Sequence, residues 1–184
     1  SSTSIANPIA SPTVTTTYSV TVTDGNSCTA VDQVVITVNP LPTVDAGVDQ
    51  TICDGQSVTI GGSPTSSTPG ATFLWDNGAS LSSTSIANPI ASPSVTTTYT
   101  VTVTDGNLCT ATDQVTITVN PLPITDAGSD QSICIGGSAT IGGSPTGPAG
   151  ATFAWDNGAS LSSTTIANPI ATPTVTTTYT VTVT

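Results

Sequence analysis

The sequence predicts an all-β chain built from small two-layered sandwich repeats, and three observations carry that prediction. A block of sequence returns at a fixed spacing of about eighty residues. Apolar residues and threonines alternate with period two, as on strands that cover one face of a core. Helix signals are nearly absent, because Pro, Gly and β-branched residues punctuate the chain and no apolar stripe of period 3.6 appears.

The repeat comes first because it sets the unit that must fold. Residues 1–40 match residues 82–121 except at positions 13, 19, 27, 31 and 35, an offset of 81. The block returns again from residue 162 at an offset of 80, because the stretch 64–70 is one residue shorter at 145–150. A deletion among Pro, Gly, Ser and Thr marks a surface loop. A period of this size suits a small domain with its own core better than one coil of a solenoid. Boundaries fall at the proline-rich passages 39–42 and 120–123, where missing N–H donors end a ladder and stiffen the chain. The expected organisation is the C-terminal half of a repeat at 1–40, a complete repeat at 41–121, and a repeat lacking its final strand at 122–184. The plain expectation is a window from a longer array; the sharper one is that incomplete ends complement each other between chains by strand addition.

Within the complete repeat the strands follow from alternation and turn chemistry. Residues 98–104 place Tyr99, Val101 and Val103 on one face and threonines on the other, and residues 114–119 do the same with Val115, Ile117 and Val119. Asp105, Gly106 and Asn107 between them form a hairpin signal, so the two strands should pair antiparallel. Further strands are expected at 50–53, 57–60 and 71–75, with a looser stretch around 85–90, giving about seven per repeat. That is the strand count of an immunoglobulin-type sandwich, with Trp75 as core tryptophan against Val101 and Tyr99 where a tyrosine corner would lie. Trp155 and Tyr179 take the same core places in the next repeat.

The segments 45–47, 50–53, 57–60, 73–75, 98–103 and 109–115 resemble immunoglobulin-like and polycystic-kidney-disease-like repeats. Such repeats occur in large surface adhesins and secreted proteins of gliding bacteria that export through type IX secretion. The resemblance spans the whole chain and implies an extracellular or cell-surface stalk, while the absence of any basic residue departs from its commonest versions.

Composition narrows function further. The chain has no Lys, Arg, His or Met, and all eleven acidic residues are Asp. Acid–base catalysis near neutrality relies on His, a raised Glu or a lowered Lys, and a nucleophilic Ser, Thr or Cys needs such a neighbour. The expectation is therefore no enzyme and no cofactor. A net charge of -11 repels nucleic-acid phosphates, and no apolar run reaches membrane-helix length.

Cys28, Cys53, Cys109 and Cys134 recur regularly, which predicts an oxidising compartment and disulfides, since zinc would want tighter Cys pairs. Connectivity stays open among three schemes: Cys53 to Cys109 within a repeat, Cys53 to the hairpin Cys of a following repeat, or Cys28 to Cys53 with Cys109 to Cys134. Asp45, Asp49, Asp105 and Asp126 lie in or near inter-repeat loops, where carboxylates and carbonyls hold Ca²⁺, but their spacing is sparse and suits turn formers equally. Trp75 and Trp155 read as core residues before they read as sugar-stacking platforms. The functional expectation is a non-catalytic stalk or fibre segment whose partners are neighbouring repeats, with a self-assembling filament and a glycan-binding module as alternatives.

Overall fold

The computed structural model describes residues 5–184, so the first four residues of the expected block 1–40 lie outside the described residues. The chain divides into two compact units, Ser1–Asn120 and Pro121–Thr184. Apart from two single-turn 3₁₀ segments at Gly78–Ser80 and Gly158–Ser160, the regular structure is β-strand.

In the first unit, β1 (Thr16–Thr23) and β2 (Thr29–Ile36) form a two-stranded hairpin. The sandwich follows, with β3 (Gln50–Cys53), β4 (Val58–Thr59), β5 (Thr72–Trp75), β6 (Ile90–Ala91), β7 (Thr97–Thr104) and β8 (Thr110–Asn120). One layer is a four-stranded sheet in the order β3-β8-β7-β5, and β4 pairs with β6 in the other. The β7–β8 pair is antiparallel, from Thr97 opposite Ile117 to Thr104 opposite Thr110. Strand β3 lies parallel to β8, with Gln50 opposite Ile117 and Cys53 opposite Asn120.

Alternation along β7 buries Tyr99, Val101 and Val103 and leaves the threonines outward. With Val115 and Ile117 of β8 they meet Trp75, Ile52, Ile60, Ala46 and Ala91 in one core cluster. Trp75 is 2% exposed and sits opposite Val101, and its indole N–H donates to the Ile86 carbonyl at 3.0 Å. A buried ring whose one polar atom is satisfied contributes its full apolar area to the core. Tyr99 is buried at its expected place, and its hydroxyl meets the Ser80 hydroxyl at 2.7 Å, a side-chain partner where a tyrosine corner has a backbone one.

Six strands form where about seven were expected. Only Ile90 and Ala91 of the stretch around 85–90 pair in a sheet. Proline at position 89 has no N–H to give to a ladder. Asn88 turns its side chain inward, donating Nδ2 to the carbonyl of Gly62 at 3.0 Å, and the Pro89 carbonyl accepts from Ile60. Thr65, 1% exposed, donates its hydroxyl to the Ala87 carbonyl at 2.8 Å in the same knot. Gly61 allows this crossing: its φ is +101°, and a Cβ there would meet Ala87 O, Asn88 Nδ2 and Thr65 Oγ1.

The second unit repeats the plan with β9 (Ala139–Thr140), β10 (Phe153–Trp155), β11 (Ile170–Ala171) and β12 (Val181–Val183). β9 pairs with β11 and β10 with β12. Residues 131–134 and 177–180, the counterparts of β3 and the first half of β7, are not in strands. In the first unit both segments pair with β8, and no equivalent of β8 occurs in this unit among the described residues.

Candidate functional site

The polar residues singled out in the sequence take up separate local tasks. Asp45 accepts the Gly47 N–H and Asp126 the Gly128 N–H, both at 2.8 Å. Asp105 accepts from Asn107 and Cys109 across the hairpin turn. Asp49 reaches across to β8 and accepts the Thr116 N–H at 2.8 Å. In each case at least one carboxylate oxygen satisfies a backbone donor of a turn or strand end, the usual work of Asp in loops. Among the described residues no three Cys or Asp side chains gather where they could hold a metal ion.

All four cysteines are free thiols, with Cys28, Cys53 and Cys134 exposed. Cys53 pairs with Asn120 at one end of β8, while Cys109 directly precedes Thr110 at the other. Eleven residues of strand separate these ends by roughly 35 Å, and a disulfide tolerates at most about 7 Å between Cα atoms. A Cys53–Cys109 bridge within the repeat is therefore incompatible with the fold. An immunoglobulin-type sandwich, the fold the sequence predicts, already sets the turn after the first strand and the final hairpin at opposite poles, and the parallel placement of β3 beside β8 fixes it.

The core residues named from the sequence divide between the two units. Trp75, Tyr99 and Val101 are fully buried. Trp155 is 5% exposed, and its indole N–H donates to the Ile166 carbonyl at 3.0 Å. Both rings are buried, Trp155 at the edge of a groove in the second unit. Tyr179 is only half-buried, and among the described residues no strand pairs beside it as β8 pairs beside Tyr99.

Two surfaces stand out instead. The β1–β2 hairpin exposes Val20, Val22, Val31, Val34 and Val35. In the second unit a groove of about 680 Å³ opens between residues 127–135 and 173–179, with Trp155 and Ala171 in its lining. Asp113 was missed in the sequence reading. Its carboxylate accepts the N–H of fully buried Ala46 at 2.9 Å, tying the incoming chain to β8 across 67 residues.

No family model matches the chain, and no curated protein does. Among solved structures it is similar to Drosophila OTK, extracellular domains 3–5, at 12% identity and a TM-score of 0.38. It is also similar to protocadherin gamma B7, extracellular cadherin domains 1–4, at 13% identity and a TM-score of 0.35. The alignments cover 92% and 89% of this chain but 66% and 50% of those chains, so it spans less than two thirds of either. Likeness at this level carries no argument, and the class is defined by the strand pairing itself: an all-β chain of tandem β-sandwich repeats.

Proposed function

We propose that the chain is a non-catalytic, load-bearing spacer, a stretch of extracellular stalk of the kind its repeats resemble in the surface adhesins of gliding bacteria. The observation that carries this reading is the direction in which the chain passes through the complete repeat. It enters beside the β7–β8 turn, where Thr43 contacts the 66–68 loop and Asp45 N–H donates to Thr65. It leaves at Asn120, at the far end of β8 next to Cys53. Entry and exit at opposite poles make each repeat a fixed increment of reach, about 35 Å for the length of β8.

That path also decides how tension acts. The repeat is pulled at the start of β3 and the end of β8, two parallel neighbours. Pulling them apart loads the bonds from Gln50 to Cys53 together, in shear, joined by the Asp54 N–H to the Asn120 carbonyl at 2.8 Å. The β1–β2 hairpin, pulled at Thr16 and Ile36 from one end, yields one pair at a time. A composition without catalytic acid–base groups and with uniform negative charge suits a spacer that must stay inert beside its neighbours.

Single-molecule pulling of the 184-residue chain tests the proposal. Residues 41–120 should open in one step, lengthening the chain by about 250 Å, the difference between extended residues at roughly 3.6 Å each and the folded span. The step should need clearly more force than the hairpin. Gradual lengthening of residues 41–120 at the force that opens β1–β2 would overturn it.

A further inference from the structure

We propose that the pair Asn77 and Gly78 is a modification site that only the fold keeps unreactive, so that a repeat held open is chemically marked and returns weaker. In an open chain the Gly78 backbone nitrogen attacks the Asn77 amide carbon. The new N–Cγ bond closes a succinimide, the Cγ–Nδ2 bond breaks, and the amide group leaves with the Gly78 proton as ammonia. Water then opens the ring at either carbonyl, which puts Asp or isoaspartate at position 77. The attack needs a following residue with an N–H and no side chain in the way. Of the nine asparagines five precede Pro, whose nitrogen has no hydrogen, and only Asn77 and Asn157 precede Gly.

The fold demands both residues of the pair. Asn77 lies in the left-handed region, φ 52° and ψ 34°, which asparagine enters more readily than most residues. Its Nδ2 donates to the Thr98 carbonyl at 2.8 Å, fastening the turn after β5 to β7. Its carbonyl accepts from Ser80, whose hydroxyl meets buried Tyr99. At Gly78 a Cβ would stand 2.5 Å from Thr84 Cγ2. The second unit repeats the corner: Asn157 has φ 52° and ψ 35°, and its Nδ2 donates to the Thr178 carbonyl at 2.7 Å.

The same geometry holds the reaction off. Ring closure needs the Gly78 nitrogen eclipsed with Cβ about the Cα–C bond, and at ψ 34° it is turned nearly opposite. Swinging it round would pull apart the single turn Gly78–Ser80 and its bond from the Leu81 N–H to the Gly78 carbonyl at 3.1 Å. The attack therefore waits until the repeat opens. Afterwards neither product can donate to Thr98. Asp would set a carboxylate against that carbonyl and beside Asp76, and isoaspartate adds a carbon to the backbone of the turn. The ammonia is gone, so the mark is permanent, whatever opened the repeat.

The test keeps the 184-residue chain in mildly alkaline buffer, folded or opened in urea, and follows residue 77 by peptide mass mapping. Conversion of Asn77 to the acid should run about a hundredfold or more slower in the folded chain, in step with its small open fraction. In urea Asn107, which precedes Leu, should lag behind Asn77. Once the urea is removed, the treated chain should melt about 5 °C or more below the untreated one by Trp75 fluorescence. Asn77→Gly keeps a residue at ease in the left-handed turn but has no amide to lose, so its midpoint should be the same before and after treatment. Asn77 converting as fast in the folded chain as in urea would overturn the proposal. So would an unchanged midpoint in the treated chain, or an Asn77→Gly chain that loses as much, because the damage would then lie elsewhere.

Discussion

Hairpins β1–β2 and β7–β8 are nearly the same sequence in two settings. Their registers agree pair for pair, from Thr16 opposite Ile36 and Thr97 opposite Ile117 to the turn. Their turns agree as well: Asp24 caps Asn26 and Cys28 as Asp105 caps Asn107 and Cys109. Burial does not agree. Val101 is fully buried against Trp75, while its counterpart Val20 is 55% exposed. Pairing and turn are therefore local properties of these residues, whereas a core arises only where β5 extends the sheet and the β4–β6 layer closes over it.

The largest effect that would break this comparison is a charge placed at matched positions. Val115→Asp puts a carboxylate among Tyr99, Ile117 and Trp75 with no cation anywhere in the chain to pair with it. Loss of at least about 4 kcal/mol is expected, enough to unfold the repeat 41–120. Val34→Asp should leave the melting of that repeat where it was, within about 0.5 kcal/mol. Thermal denaturation followed by Trp75 fluorescence reads both; equal losses would mean that β2 also has a buried inner face.

A smaller contrast separates Asp113 from Asp32. In the repeat, Asp113 accepts the N–H of buried Ala46, and its loss strands that donor away from water. In the hairpin, Asp32 accepts only the N–H of the adjacent Gln33 at the surface. Asp113→Ala should cost about 1–3 kcal/mol and Asp32→Ala at most about 0.5 kcal/mol, by urea denaturation. Comparable costs would remove the claim that Asp113 fastens the entering chain.

These contrasts also mark what could be read without a structure. Alternation at 98–104 and the Asp-Gly-Asn turn revealed β7, β8 and their pairing, because both signals are carried by neighbouring residues. The tether from Asp113 to Ala46, the parallel seat of β3 and the burial of Thr65 depend on segments 20 to 70 residues apart, as with the 67 residues between Asp113 and Ala46. No local pattern announces them. The stretch 85–90 misled because Ser85, Ile86 and Ile90 suggest a strand, while Asn88 and Pro89 commit the backbone to the knot around Gly61. The groove was not legible, because its two walls, residues 127–135 and 173–179, are brought together by the fold and by no local pattern.

The smallest expected effect sits at the hairpin tip, one of the five positions where the two blocks differ. Leu108 has φ 63° and Ser27 φ 64°, so both turns demand a left-handed residue at the same place. A leucine there is strained by its Cβ, and Leu108 is 82% exposed, so packing returns little for the strain. Asparagine adopts this conformation more readily. Leu108→Asn should stabilise the repeat by about 0.5–1 kcal/mol, seen as a melting midpoint raised by a few degrees. Ser27→Asn should leave that midpoint unchanged, because its turn belongs to a hairpin that adds nothing to the core of 41–120. A lowered midpoint for Leu108→Asn would show that the leucine makes a contact worth more than its strain, and that even the turns of the two hairpins depend on their surroundings.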